Sequence, residues 1–294
     1  MFRLGDFFSN IIRDGEFRQT HFANTRMSGS LCYVAREKFL FQAKENPNVC
    51  CVIVPESLVD ALPERIGVAV SNSPELDFYA LHNQLVLTGQ MVPEMSFQRS
   101  EDAQIHPSAV ISPKTYIGSG VRIGPGVIVE DYSHIGDNVL IDSGAIIGAS
   151  GHYYKQYGDK RFRVEHAGGV WLEEGVQILA GAVVSKSLHS DFTRVGKDTV
   201  VSIKAHVGHG CVIGKRCTLT GNVQVSGFTT LGDDVWVGPS ATIGNLLNIG
   251  NNVRIDIGSV VVKDIPDGGR VSGNFAYNHR QHVRDYSQKI RGNN

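Results

Sequence analysis

The stretch that decides the fold runs from Val195 to Val261 and divides into hexads: VGKDTV, VSIKAH, VGHGCV, IGKRCT, LTGNVQ, VSGFTT, LGDDVW, VGPSAT, IGNLLN, IGNNVR and IDIGSV, closed by Val261. Every hexad opens on a branched aliphatic. A period of six suits neither a helix of about 3.6 residues per turn nor a lone strand of period about 2. It suits short stacked strands that each bury one residue. The same phase runs upstream through Ile105, Ile111, Ile117, Ile123, Val129, Ile135, Ile141 and Ile147, and through Leu172, Ile178 and Val184. With three hexads per turn this gives seven to eight turns. At about 4.8 Å per stacked strand the prism is roughly 35 Å tall. Gly in the second slot answers to a positive φ or to a close backbone approach. Small residues in the fifth slot, such as Thr115, Ser133, Ala145, Thr199 and Ala241, are expected to point inward. Solenoid ends need covering. A unit before Ile105 is expected at one end, and a helix from Ala276 to Ile290 at the other.

Two interruptions break the period, Gly148–Val170 and Leu188–Arg194. Solenoid walls cannot absorb them, so both are expected to loop out. Loops on rigid repeats commonly hold ligands; packing on a neighbouring subunit is the alternative for the first.

Residues 1–104 lack the period and read as a small α/β domain expected to bind a nucleotide. Arg3–Ile12 has helical spacing, and Leu31–Phe41 mixes strand and helix signals. Val49–Val54 (VCCVIV) is a buried strand, Pro55-Glu56-Ser57 opens a helix, Ile66–Val70 is a strand, and Ser73-Pro74 precedes a helix over Glu75–Leu87. Met91–Gln104 reads as a linker. The division expected is 1–104, 105–265 and a 266–294 tail.

Charge narrows the function. A formal net charge of −1, with 19% charged residues, leaves no basic footprint for nucleic acid. No apolar run is long enough to span a membrane. The five cysteines form no secreted framework; Cys211 and Cys217 occupy fifth slots, and free buried thiols suit a reducing compartment. A cytoplasmic protein is expected.

The repeat resembles that of bacterial acyltransferases built on the left-handed parallel β-helix. The segments RLGDFF, SGSLCYVAREKF, VCCVIVPESL and VAVSNSPELDFYAL resemble in order the N-terminal domain of the UDP-3-O-acylglucosamine N-acyltransferases of lipid A synthesis. GASGHYY, EHAGGVWLEEGVQILAGAVV, VGHGCVIG and SGNFAYNHRQHV extend the match. The fold implied is mainly β: a left-handed parallel β-helix with a small N-terminal α/β domain and a short C-terminal helix. The resemblance also implies a homotrimer with sites in the clefts between subunits.

In that family the residue matching His209 is the general base, in motifs of the form [AE]-H-[NDE]. Imidazole suits the task, because a sugar amine must lose a proton as it attacks a thioester. Here Gly210 replaces the usual Asn, Asp or Glu, leaving Asp191 as a candidate to orient His209. His206 could line the same cleft. One turn of eighteen residues from His209 lies Gly227, whose backbone N–H the resemblance assigns to the thioester oxygen. The family's uracil segment F-x-x-N-x-x-[FY] reads YVAREKF here, so Tyr33 and Phe39 would stack a base and Arg36 would read it. The alternative is that both rings are core. Lys155, Arg161 and Arg163 are candidates for phosphates. The family's second histidine matches Leu246, and the tail is short.

These departures favour a small acyl group, such as acetyl from acetyl-CoA, moved to the amine of a nucleotide-linked amino sugar for surface polysaccharide. The alternatives are the lipid A enzyme itself, using acyl carrier protein, and a non-enzymatic scaffold. A γ-class carbonic anhydrase is disfavoured, because His206 and His209 are spaced H-x2-H and no third zinc histidine completes the set. No metal and no tightly bound cofactor are expected.

Overall fold

A computed structural model describes residues 1–273, 276 and 278–291. From Gln98 onward the chain winds into a three-sided prism. Its walls are parallel sheets of eight, eight and nine strands, most of them two or three residues long. Strands stack eighteen residues apart where no loop intervenes, as in Val195 on Ile213 and Ile213 on Leu231. All twelve aliphatics from Val195 to Val261 are buried, none more than 6% exposed. Upstream, Ile117 to Ile147 are equally buried, while Ile105 and Ile111 at the open end are only half-buried. Truncating one central residue, for example Leu219 to Ala, would cost about 2–5 kcal/mol, because the stacked walls cannot collapse onto the cavity.

The second-slot glycines answer to close approach. A methyl group on Gly208 would stand 2.7 Å from Gly227 N in the next coil. Positive φ falls instead in the fourth slot, including Asn138, Arg216, Phe228 and Leu246. The prism also begins one hexad before Ile105. Gln98–Arg99 pairs in parallel with Tyr116 and Ile117, and Arg99 occupies an aliphatic slot. That slot lies at the open end, where an exposed charge is tolerated, so the period does not mark it.

The N-terminal unit is a five-stranded sheet in the order Ile11–Arg13, Gly67–Val70, Val49–Val54, Ser30–Tyr33, Gln19–Thr20. Only the first pairing is antiparallel. Val49–Val54 is apolar throughout because both faces are covered. Cys51 and Ile53 pack toward the helix Pro74–Leu87, while Val52 and Val54 pack toward the helix Leu40–Glu45. Three readings of this unit change. Arg3–Ile12 forms no α-helix: short strands at Phe2–Arg3 and Ile11–Arg13 flank a 3-10 turn at Leu4–Asp6. Phe2 and Phe7 instead cluster with Phe17, so ring packing fixes the segment. Glu56–Ala61 is 3-10, with no side-chain cap. The unit does not cover an end of the prism; it docks on the two interruptions and faces the coil corners at His209, Gly227 and Leu246.

Both interruptions are its docking surface. Val164, Ala167 and Leu188 are buried in one cluster with Phe17, Leu31 and Phe78. Polar contacts frame the junction: the Asn83 amide donates to Arg163 O at 2.7 Å, the Tyr79 and Tyr153 hydroxyls meet at 2.9 Å, and Ser190 donates to Gln19 at 2.9 Å. From the first interruption a hairpin projects, Tyr154–Tyr157 against Lys160–Arg163. The last helix spans His279–Arg291, with Val283 and Tyr286 exposed. In the SGNFAYNHRQHV segment, Asn274, Phe275 and Tyr277 lie outside the described residues.

Candidate active site

Docking of the N-terminal unit on the wall encloses a cleft of about 950 Å³. Coil corners supply His209, Gly227 and Leu246. The adjacent wall supplies His206, and the N-terminal unit supplies Tyr33, Arg36 and Phe39. Residues 170 positions apart in sequence therefore share one cavity within a single chain.

The His209 imidazole is wedged between two glycines. A methyl group on Gly227 would stand 2.5 Å from Cε1 and 2.6 Å from Nε2; one on Gly151 would stand 2.7 Å from Cδ2. Tyr153 and Phe228 approach edge-on, with centroids 5.7 and 4.8 Å away. Burial, with smaller contributions from His206 and His152, pushes the His209 pKa down to about 4. The ring is therefore neutral near pH 7 and holds a free lone pair, as a proton acceptor must. Among the described residues its Nδ1 is buried without a hydrogen-bond partner.

The replacement of the usual polar neighbour has a steric cause. Gly210 has φ +67°, and a Cβ there would stand 2.5 Å from the Phe228 ring. Phe228 occupies the space of the missing side chain. Asp191 does not take over: it pairs with His21 at 3.3 Å and accepts from Ser187 beneath the N-terminal unit. Burial raises its pKa, yet those two partners hold it below the usual carboxylate range. His206 does border the cavity, bonded to Ser185 at 3.0 Å.

Tyr33 is half-buried, and its hydroxyl donates to Glu75 at 2.8 Å. Phe39 is 45% exposed, which removes the reading of both rings as core. Arg36 is the one Lys or Arg side chain lining the cavity among the described residues. The expected phosphate cations differ from one another. Lys155 bonds Glu75 at 2.8 Å and lies 5.2 and 5.1 Å over the Tyr79 and Tyr153 rings, so its charge is already compensated beside the cleft. Arg161 and Arg163 sit on the projecting hairpin, away from the cavity, with Arg163 paired to Glu165 at 3.4 Å. Sequence reading missed Glu75, Gly151, Tyr153, His166 and Phe228. Only the interruption that holds Gly151, Tyr153 and His166 signalled any of them.

Among the described residues no helix is long and apolar enough to cross a membrane. No family model matches the chain. A UDP-3-O-acylglucosamine N-acyltransferase from Helicobacter hepaticus is 31% identical over 255 residues, covering 80% of this chain and 77% of the relative. One from a Methylobacterium species is 32% identical over 139 residues, covering 47% of this chain and 39% of the relative. Among solved structures, LpxA from Acinetobacter baumannii is 25% identical with a TM-score of 0.48, covering 63% of this chain and 76% of that one. A UDP-N-acetylglucosamine acyltransferase from Campylobacter jejuni is 22% identical with a TM-score of 0.47, covering 62% and 81%. By its likeness to the Helicobacter hepaticus relative, the protein is an acyltransferase, here built on a three-sided parallel β-prism of hexapeptide repeats. It belongs to the UDP-3-O-acylglucosamine N-acyltransferase family.

Proposed function

We propose that this enzyme acylates the amine of a UDP-linked 3-O-acylglucosamine in lipid A synthesis, taking the acyl group from a thioester on acyl carrier protein. One observation carries the reading: a chain of this family brings Tyr33, Arg36 and Phe39 into the same cavity as His209 and Gly227. The base stacks against Tyr33 and Phe39, and Arg36 donates to a carbonyl oxygen of the base. The amine nitrogen attacks the thioester carbon. As the N–C bond forms, His209 accepts the amine proton; as the C–S bond breaks, it returns that proton to the departing thiolate. The Gly227 N–H, which makes no hydrogen bond among the described residues, stabilises the oxyanion. A homotrimer completes the cleft walls.

The reading of a short acyl group from acetyl-CoA rests on Leu246, which is 59% exposed and lines the cavity where the family carries a second histidine. The test gives the purified enzyme UDP-3-O-acylglucosamine with acyl-carrier-protein and coenzyme A thioesters of an acetyl and of a long-chain acyl group. Turnover selective for the long carrier-protein thioester supports the proposal. Turnover only with acetyl-CoA replaces it with the second reading.

A further inference from the structure

Gly210 and Asp191 leave a gap in the chemistry. A base that accepts at Nε2 must carry its own proton on Nδ1, and that proton needs an acceptor to hold the tautomer and the ring angle. The usual side chain after the histidine is absent, and Asp191 is committed to His21 and Ser187. Yet among the described residues His209 Nδ1 is buried without a partner.

One side chain beside the His209 ring has the same deficit. His166, 5% exposed, has both ring nitrogens buried and unpartnered among the described residues. Its ring meets that of His209 edge-on at a centroid distance of 5.3 Å. Both rings press on Gly151: a methyl group there would stand 3.0 Å from His166 Nε2 and 2.7 Å from His209 Cδ2. Orphaned buried nitrogens are rare and costly. The His209 edge on the Gly151 side is Cδ2, and turning that ring over about χ2 exchanges Cδ2 for Nδ1, which brings Nδ1 to the side of His166.

We infer that His166 is the positioning residue of His209, its neutral imidazole accepting from His209 Nδ1–H in place of the missing neighbour. His166 is suited to stay an acceptor. Burial, and then the nearby His209, Lys186, His82 and Arg163, all oppose its protonation. A neutral partner also stabilises the imidazolium less than a carboxylate would. The route depends on Gly151, because any side chain there would separate the two rings. The inference rests on His209 being the base.

The experiment compares H166L, H166Q and H209A with wild type in steady-state acyl transfer. It is paired with long-range ¹⁵N–¹H spectra of the histidine-labelled wild-type protein, assigned by H209A. The inference expects kcat of H166L to fall roughly 10²-fold, the loss that follows from misplacing a reacting group. KM for the nucleotide sugar stays within about twofold, because His166 touches no substrate. H166Q, which keeps an acceptor, recovers most of the rate. His209 of the wild type is protonated on Nδ1. Wild-type kcat in H166L, equal losses in H166L and H166Q, or a proton on Nε2 of His209 would each overturn it. The spectrum decides even where H166L does not fold. Full activity in H209A would instead remove the base assignment on which the inference stands.

Discussion

The face of the His209 ring lies against Gly227, one coil further along, so closely that a methyl group at Gly227 would overlap it, 2.5 Å from Cε1 and 2.6 Å from Nε2. A side chain at Gly227 therefore has no room beside the imidazole, which on the proposed mechanism is the base. The variant Gly227→Ala is expected to displace the imidazole and lower kcat by roughly 10² or more, since a 1 Å shift of a reacting group costs about that much. Gly227 is buried, so a loss of stability of about 1–3 kcal/mol from overpacking should accompany the loss of rate. Unchanged kcat in a folded G227A would show that the ring need not occupy this slot.

Removing the imidazole isolates its role. His209→Asn should fold and bind nucleotide as wild type does, with turnover reduced about 10²- to 10⁴-fold, the usual contribution of a positioned base. Rates and nucleotide affinity measured on one preparation check this. A parallel loss of affinity and rate would argue for substrate contact instead.

The nucleotide reading concerns exposed groups, so fold and function separate cleanly. Phe39→Ala and Arg36→Ala should leave the melting temperature within a few degrees and weaken UDP binding by about 1–3 kcal/mol each, a typical cost for losing a stacked ring or a charged hydrogen bond. Calorimetry with UDP, CDP and GDP checks both variants. Arg161→Ala should leave affinity unchanged, since that side chain lies off the cavity.

Acid should weaken the fold through its neutral histidines. Burial lowers the pKa of His82 to about 4, of His166 to about 3 and of His209 to about 4. Unfolded histidines titrate near 6.5, so below that pH the unfolded chain binds protons that the folded chain refuses. Their contribution is complete above about pH 6.5 and declines as pH falls toward 4, by up to about 1.4 kcal/mol per unit for each group. Denaturant unfolding at pH 7 and pH 5 measures the slope, and His82→Gln should reduce it by about one proton. A midpoint that does not move between the two pH values would contradict the neutral cluster.

Restoring the family's polar neighbour should fail locally. Gly210→Asn meets the Phe228 ring at 2.5 Å, although Asn tolerates the positive φ. A stability loss of about 1–3 kcal/mol is expected. G210N combined with Phe228→Ala should recover part of it, a coupling that a double-mutant cycle reads directly.

The repeat was legible because one physical demand recurs every six residues. Each short strand buries a branched aliphatic, and many second slots hold a glycine that the next coil approaches closely. Ile117, Leu219 and Val237 could be assigned to the core by counting alone. Arg99 escaped the count because the first coil is open to solvent. Arg3–Ile12 was misread because an apolar spacing that fits a helix also fits rings that close on Phe17.

The site was legible only in part. The resemblance pointed to His209, Gly227, Tyr33, Arg36 and Phe39, and all five line one cavity. Asp191 was chosen for its nearness to the repeat, but a carboxylate pairs with whatever cation packs over it, and here that is His21 on the other unit.

By itself, then, the sequence determined the prism, its three-hexad turn, the one-coil offset of Gly227 from His209, and where the walls are interrupted. Those depend on local periodicity, which the chain repeats residue by residue. Tertiary structure alone decided that the N-terminal unit docks on the wall and brings Arg36 to the same cavity as His209. It also decided that Phe228 fills the space beside Gly210, and that His166 comes to rest against the His209 ring. Each of these is a contact between segments distant in sequence, set by which surfaces bury one another, and no spacing along the chain encodes it.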